Sequence, residues 1–246
     1  IISQFVSFCL LYIGVNRGNS LRIRISRVKL KWAYHKAIIQ GGLPSLARQC
    51  LASVATICLS HSAGQFGDAA IAAMGVVQRI MMFGASAMIG FGQGFQPVCG
   101  FNFGARLYDR VKEGFWFCVK TSLFFLFAVS TLMFIFAPDL IRLFRDDPEV
   151  IKCGAAALRF QCISFPAQSW IVMSNMMEQS MNRTVPATFL ATARQGVFFI
   201  PSILLLSAAF GLVGIQMAQA VSDLLTLLCA IPIHIYVLRT MAPKAP

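Results

Sequence analysis

The sequence predicts an all-α fold, that of a polytopic membrane protein with six membrane-spanning helices arranged as one lobe. Three observations carry this. The chain is 57% hydrophobic and only 12% charged, whereas a soluble domain is about 25% charged. Apolar runs of span length recur along most of it, and a run of about 18 or more apolar residues reads as a transmembrane helix. They are continuously apolar and not alternating, which excludes a β-barrel. Finally, the net charge of +12 is distributed unevenly between successive connections.

Residues 1–16, IISQFVSFCLLYIGVN, are apolar but too short to span alone. With no basic segment before them and no cleavage site after, they read as the end of a truncated transmembrane helix, and the chain as a fragment. Residues 17–36 follow, with seven Lys or Arg and no acid between Arg17 and Lys36. Ile and Val alternate with the bases, and Trp32 and Tyr34 close the stretch. This is expected to be a basic amphipathic connector on the cytoplasmic, anionic membrane surface. A nucleic-acid-binding arm is the alternative, but the stretch lies among spans.

A six-helix lobe is expected over 37–239, with spans near 39–60, 69–97, 113–137, 150–180, 184–210 and 213–238, and a cytoplasmic tail over 240–246. Arg106, Arg110 and Lys112 fall in one set of connections, with Arg183 and then Arg239 and Lys244 of the tail. The other set holds the base-free SHSAGQFGD, the net acidic APDLIRLFRDDPE and the uncharged SAAFGLVG. Basic loops stay in the cytoplasm, so the connector, the tail and the even-numbered loops are expected there, in a multi-pass protein of the cell membrane. The positive charge then needs no nucleic acid, and the implied surroundings are membrane lipid.

No motif points to catalysis. H-E-x-x-H, G-x-S-x-G and Walker A patterns are absent, and the three histidines are far apart in sequence. The eight cysteines form no C-x-x-C pair and read as small apolar helix residues. No catalytic residue, metal or cofactor is expected. In GFGQGFQPVCGFNFGAR, residues 90–106, Phe95 stands where a dinucleotide loop needs its last glycine. Gly90 and Gly94 instead suggest a flat packing face, and Pro97 a bend or end to the helix. Pro44, Pro138, Pro166, Pro201 and Pro232 also lie in or at the ends of spans, where proline is tolerated.

Polar side chains inside the spans recur at helical spacing. Ser45, Gln49, Ser53, Thr56 and Ser60 share a face of the first span. Gln78, Met82, Ser86 and Gln93 share one in the second. Gln161, Ser164, Gln168, Asn175 and Gln179 share one in the fourth, and Gln216, Gln219, Asp223 and Thr226 in the sixth. Four such stripes suggest a hydrated cavity, with interhelical hydrogen bonding as the alternative. The candidate substrate-cavity residues are Gln49, Ser53, Thr56, Gln78, Met82, Gln93, Gln161, Gln168 and Asn175. Among the charges, Lys120, Arg159 and Arg194 can snorkel from span ends. Arg48, Arg79, Glu178 and Asp223 remain as ion-coupling or buried charges. Asp223 either exchanges a coupling ion or is the fixed counter-ion of Arg48, Arg79 or Arg194.

The stretch FGDAAIAAMGVVQRIMMFGASAMIGFGQGFQPVCGFNFGAR, residues 66–106, resembles the eighth transmembrane helix and following loop of multidrug and toxic compound extrusion (MATE) transporters. GLPS at 42–45, MNRTVPATFLATARQGVFFIPSILLL at 181–206 and GIQMAQAVSD at 214–223 agree with it in order and spacing. The resemblance implies a twelve-helix transporter of two six-helix lobes, this chain being the C-terminal one and its N-terminal partner lobe missing. It further implies export of cationic or aromatic drugs against protons or sodium ions. The chain departs from the pattern. Ala52, Ser53 and Ala55 stand where some members carry a glutamate, and Gln216 and Ala220 where Trp and Pro are expected.

The expected function is therefore secondary active multidrug efflux. A lipid-linked oligosaccharide flippase of the same superfold is the alternative, although such flippases need a strongly basic cavity. A membrane-embedded enzyme would need a close cluster of ionisable groups, and a non-transporting scaffold would not need the polar stripes.

Overall fold

The computed structural model describes residues 2–17 and 32–241, and these are helical throughout apart from short turns. The middle of the basic connector and the last five residues of the tail lie outside the described residues. Two units can be separated, residues 1–39 and 40–246. The first contains α1 (Ile2–Arg17), whose Phe5, Phe8 and Leu10 are exposed.

Helix α2 (Trp32–Gly64) begins inside the stretch read as connector and continues into the second unit. There follow α3 (Asp68–Gly104), α4 (Tyr108–Ile135), α5 (Ala137–Phe144), α6 (Pro148–Ser164), α7 (Gln168–Ser180), α8 (Thr184–Thr192) and α9 (Phe199–Thr240). Three stretches among the described residues are long and apolar enough to cross a membrane: Asp68–Gly104, Tyr108–Ile135 and Thr184–Thr240. In α2 the polar stripe dilutes the apolar character. The fourth expected span is divided into α6 and α7 by a 3₁₀ turn over Phe165–Ala167, where Pro166 has no N–H to continue the helical ladder.

Elsewhere local chemistry moves the expected boundaries. Pro97 lies inside α3 and does not end it; the helix runs on to Gly104, and the chain turns at Arg106, with φ of 60°. The segment read as an acidic loop starts with the amphipathic helix α5. Pro138 opens it, Ala137 and Ile141 are fully buried, and Arg142 meets Asp146 at 3.3 Å. Helix α6 is capped by Asp147, whose carboxylate accepts from the Glu149 N–H at 3.0 Å. The last two spans join by a reversal within α9 at Gly211, with φ 59° and ψ −133°. Beyond it the chain runs back along itself, and a Cβ at Gly214 would collide with the Leu206 carbonyl.

The core lies between α3, α4, α6, α7 and α9, with Phe115, Phe165, Met88, Leu126, Leu158 and Met177 fully buried in it. Glycines permit the closest approaches. A Cβ at Gly92 would strike Met176, and one at Gly84 would lie 2.9 Å from the Met133 methyl. Gly90 and Gly94, expected to form a packing face, have open space on that side. Spacing placed them correctly on one face, but the face that meets α7 carries Gly92. Outward, large apolar side chains dominate, with Phe83 83%, Phe124 79% and Phe101 78% exposed.

Candidate functional site

A cavity of about 210 Å³ opens between α2, α3, α7, α8 and the turn that follows α8. Helix α3 contributes Gln93 and Gln96, and α7 contributes Gln168, Asn175 and Gln179. Ser45 and Arg48 come from α2, and Arg194 and Gln195 from the turn; Met88, Ile171 and Leu190 supply apolar wall. Asn175 is held in place on both sides. Its amide donates to the Ala187 carbonyl at 2.6 Å, and its carbonyl accepts from Gln179 Nε2 at 2.6 Å.

The turn that brings Arg194 to the cavity is π-helical, over Ala193–Val197. A π-turn widens the ladder by one residue and rotates the side chains after it. Gly196 in this turn allows Leu51 of α2 to approach, since a Cβ there would lie 2.7 Å from Leu51 Cδ1. Arg194 points inward from the turn, and its Nε donates to Asp223 Oδ1 at 2.7 Å.

Asp223 is buried on α9 and has four donors. Besides Arg194, Gln219 Nε2 reaches Oδ1 at 3.0 Å. Gln168 Nε2 reaches Oδ2 at 3.2 Å, and Ser164 Oγ reaches it at 3.5 Å. The neighbouring Ser222 hydroxyl donates to the Arg194 carbonyl at 2.6 Å, tying the turn to α9 a second time. The Asp223 carboxylate is thus neutralised and solvated by protein groups, two of which, Gln168 and Arg194, also line the cavity.

A second pair of ionisable groups lies along α9, away from the cavity wall. Glu178 of α7 and His234 of α9 are fully buried, with Oε1 and Nδ1 3.6 Å apart. The imidazole stacks on Phe115 at 4.1 Å, and the Trp170 ring lies across it at 5.6 Å.

Of the expected cavity residues, Gln93, Gln168 and Asn175 line the space. Gln49, Ser53, Thr56 and Met82 are exposed away from it, and the Ser53 and Thr56 hydroxyls bond to carbonyls of their own helix one turn back. Gln78 is half-buried, and Gln161 is buried in the core. Arg48 is at the cavity, whereas Arg79 is exposed elsewhere. Arg194, read both as a snorkelling residue and as one of three possible counter-ions of Asp223, is its partner. Arg159 is exposed, with its guanidinium 5.6 Å from the Phe134 ring centre. Gln96, Gln195 and the pairing of Glu178 with His234 were not read from the sequence. The signal for that pairing was a charge and a histidine in otherwise apolar helices, but no local spacing connects positions 178 and 234.

The MatE family model matches residues 44–205. The multidrug export protein MepA of Staphylococcus haemolyticus is 24% identical over 88% of this chain and 47% of its own length. MepA of Staphylococcus saprophyticus is 26% identical over 82% of the chain and 44% of its own. The chain therefore spans about half the length of the curated relatives it matches. A solved structure of a mutant of the Vibrio cholerae MATE transporter VcmN superposes with a TM-score of 0.88 at 18% identity, over 98% of this chain and 55% of that one. An outward-facing multidrug resistance MATE transporter gives 0.86 at 20%, with the same coverage. At these identities the structures establish the fold.

Proposed function

The chain belongs to the MatE family, and from that premise we propose that it is the C-terminal lobe of a secondary active multidrug exporter in the cell membrane. The relatives named as multidrug export proteins support the activity. The observation that carries the reading is the cavity whose wall residues Gln168 and Arg194 hold the buried carboxylate of Asp223. Amide groups alternate there with Met, Ile and Leu, which suits flat aromatic cations better than strongly anionic headgroups. Arg194 adds little positive field, because Asp223 neutralises it, which leaves Arg48 as the one remaining base among the lining residues. That counts against an oligosaccharide flippase.

A cavity of about 210 Å³ is smaller than the roughly 300–1,000 Å³ of a drug-sized pocket. In this reading the rest of the pocket comes from an N-terminal lobe of the same protein. The exposed faces bearing Ser53, Thr56 and Met82 turn toward that lobe. The connector and the basic loops lie on the cytoplasmic side, and membrane lipid covers the outward phenylalanines. Asp223 is the proposed link to the coupling ion, H⁺ or Na⁺. An arriving ion displaces the Arg194 guanidinium from Oδ1, and the released guanidinium changes the cavity wall.

Ethidium accumulation in cells expressing the full-length protein tests this. Expression is expected to lower retained dye, and Asp223→Asn to abolish the difference. Equal retention with and without the protein would overturn the efflux reading. Full efflux by Asp223→Asn, with unchanged ion dependence, would remove Asp223 from coupling alone.

A further inference from the structure

We propose that Glu178 and His234 together form a proton-binding site, closed to solvent in this conformation and separate from the Asp223 cluster. Both side chains are fully buried, and they face each other at 3.6 Å. Among the described residues, neither oxygen of Glu178 and neither ring nitrogen of His234 has a hydrogen-bond partner. Asp223 has four donors, one of them a guanidinium; Glu178 faces a single imidazole. Asp223 lies eleven residues earlier on α9, about 16 Å along a helix.

The surroundings determine what the pair can hold. Phe115 stacks on the imidazole with an interplanar angle of 28°, and Trp170 meets it at 81°. Trp116 closes the aromatic cluster at 5.5 Å from Trp170. An ionised carboxylate beside a neutral imidazole in this setting is an uncompensated buried charge, which is strongly unfavourable. One proton removes that charge. On the carboxyl it leaves two neutral groups; on the imidazole it makes an ion pair whose cation lies against the Phe115 face. The proton belongs to the pair and not to either residue alone.

Among the described residues no ion pair other than that with His234 reaches Glu178, and Arg183 acts on it only through space. At the end of α7 the Arg183 side chain is turned to the Thr240 hydroxyl, with Nη1 at 2.8 Å. Helix α8 has no titratable side chain. From α3 and α4 the buried titratable groups near this end of the bundle are the thiols Cys99 and Cys118. Lys112 and Glu113, a turn before Phe115, lie toward the outer surface, and Arg239 of α9 is exposed.

A second observation points the same way. Trp170, Ser174 and Glu178 recur every four residues on one face of α7. The indole Nε1 and the Ser174 hydroxyl, like the carboxylate, are buried without a partner among the described residues. Each such group forgoes the hydrogen bonds that water would give it, which disfavours its burial as packing alone. Together they form a polar line through the apolar seam of α4, α7 and α9, ending at the pair.

The test counts protons at the pair in the full-length protein in lipid nanodiscs, with no drug present, so it does not depend on efflux. At neutral pH we expect one proton on the pair. It should appear as a protonated-carboxyl infrared absorbance lost in Glu178→Gln, or as imidazolium ¹⁵N resonances lost in His234→Gln. Asp223→Asn should leave the signal in place. Wild-type protein with an ionised Glu178 and a neutral His234 would overturn the proposal, without need of any variant. An imidazolium at His234 that persists in Glu178→Gln would do so too, because the two groups would then titrate independently.

Discussion

At the scale of single residues, Asp223 and Arg194 depend on each other unequally. Asp223 is buried, while Arg194 retains a quarter of its side-chain surface and borders the cavity. Removing one member of a buried pair costs about 3–5 kcal/mol, because the other stays charged and unpaired. Arg194→Ala strands the acid in the core and is expected near the top of that range. Asp223→Ala leaves a cation that can turn into the cavity and is expected to cost less. Thermal unfolding of the purified protein would give the order, and equal losses would contradict it. Gln219→Ala removes one amide donor to Oδ1 and is expected to cost about 1.5–3 kcal/mol in the same assay. The sequence exposed the acid because its mid-span position admits few explanations. It offered Arg194 as one of three possible partners and did not single it out, because a base near a span end reads equally well as snorkelling.

Among the elements, α3 tests how far periodicity extends. Gly90, Gly92 and Gly94 lie within five residues, yet only Gly92 meets a neighbour, the methionines of α7. Gly92→Leu should overpack that contact and destabilise by about 1–3 kcal/mol. Gly90→Leu should stay within about 0.5 kcal/mol. The reverse order in denaturation of the full-length protein would mean that another surface closes on Gly90. At the Gly211 reversal the backbone occupies a region that side chains avoid, so Gly211→Ala should cost about 1–3 kcal/mol. The stripes follow the same logic as the glycines. Spacing along α2 and α3 established which residues share a face. It could not establish that the Ser53 and Met82 faces turn away from the cavity while Gln93, farther along α3, borders it.

For the whole molecule, the exposed phenylalanines and the apolar helices favour a hydrocarbon environment, where unpaired backbone groups are prohibitive and helices are the available solution. The charge asymmetry then gives an orientation that can be measured. In intact cells carrying otherwise cysteine-free full-length protein, a membrane-impermeant maleimide should label Asp146→Cys from outside and leave Arg110→Cys unlabelled until the cells are opened. Labelling of both positions from outside would refute the proposed sidedness.

The helical membrane class and the family motifs are legible along the chain, because each is written in local composition, periodicity or short-range spacing. The sequence also showed that Asp223 and Glu178 were acids in apolar helices. What these acids meet depends on how the helices pack. The Asp223–Arg194 pair depends on a π-turn and a chain reversal at Gly211, and the Glu178–His234 pair on α7 packing against α9 across an aromatic cluster. Such contacts join positions 29 and 56 residues apart. They are set by how helix faces fit together, a property of the assembled lobe that no single segment carries.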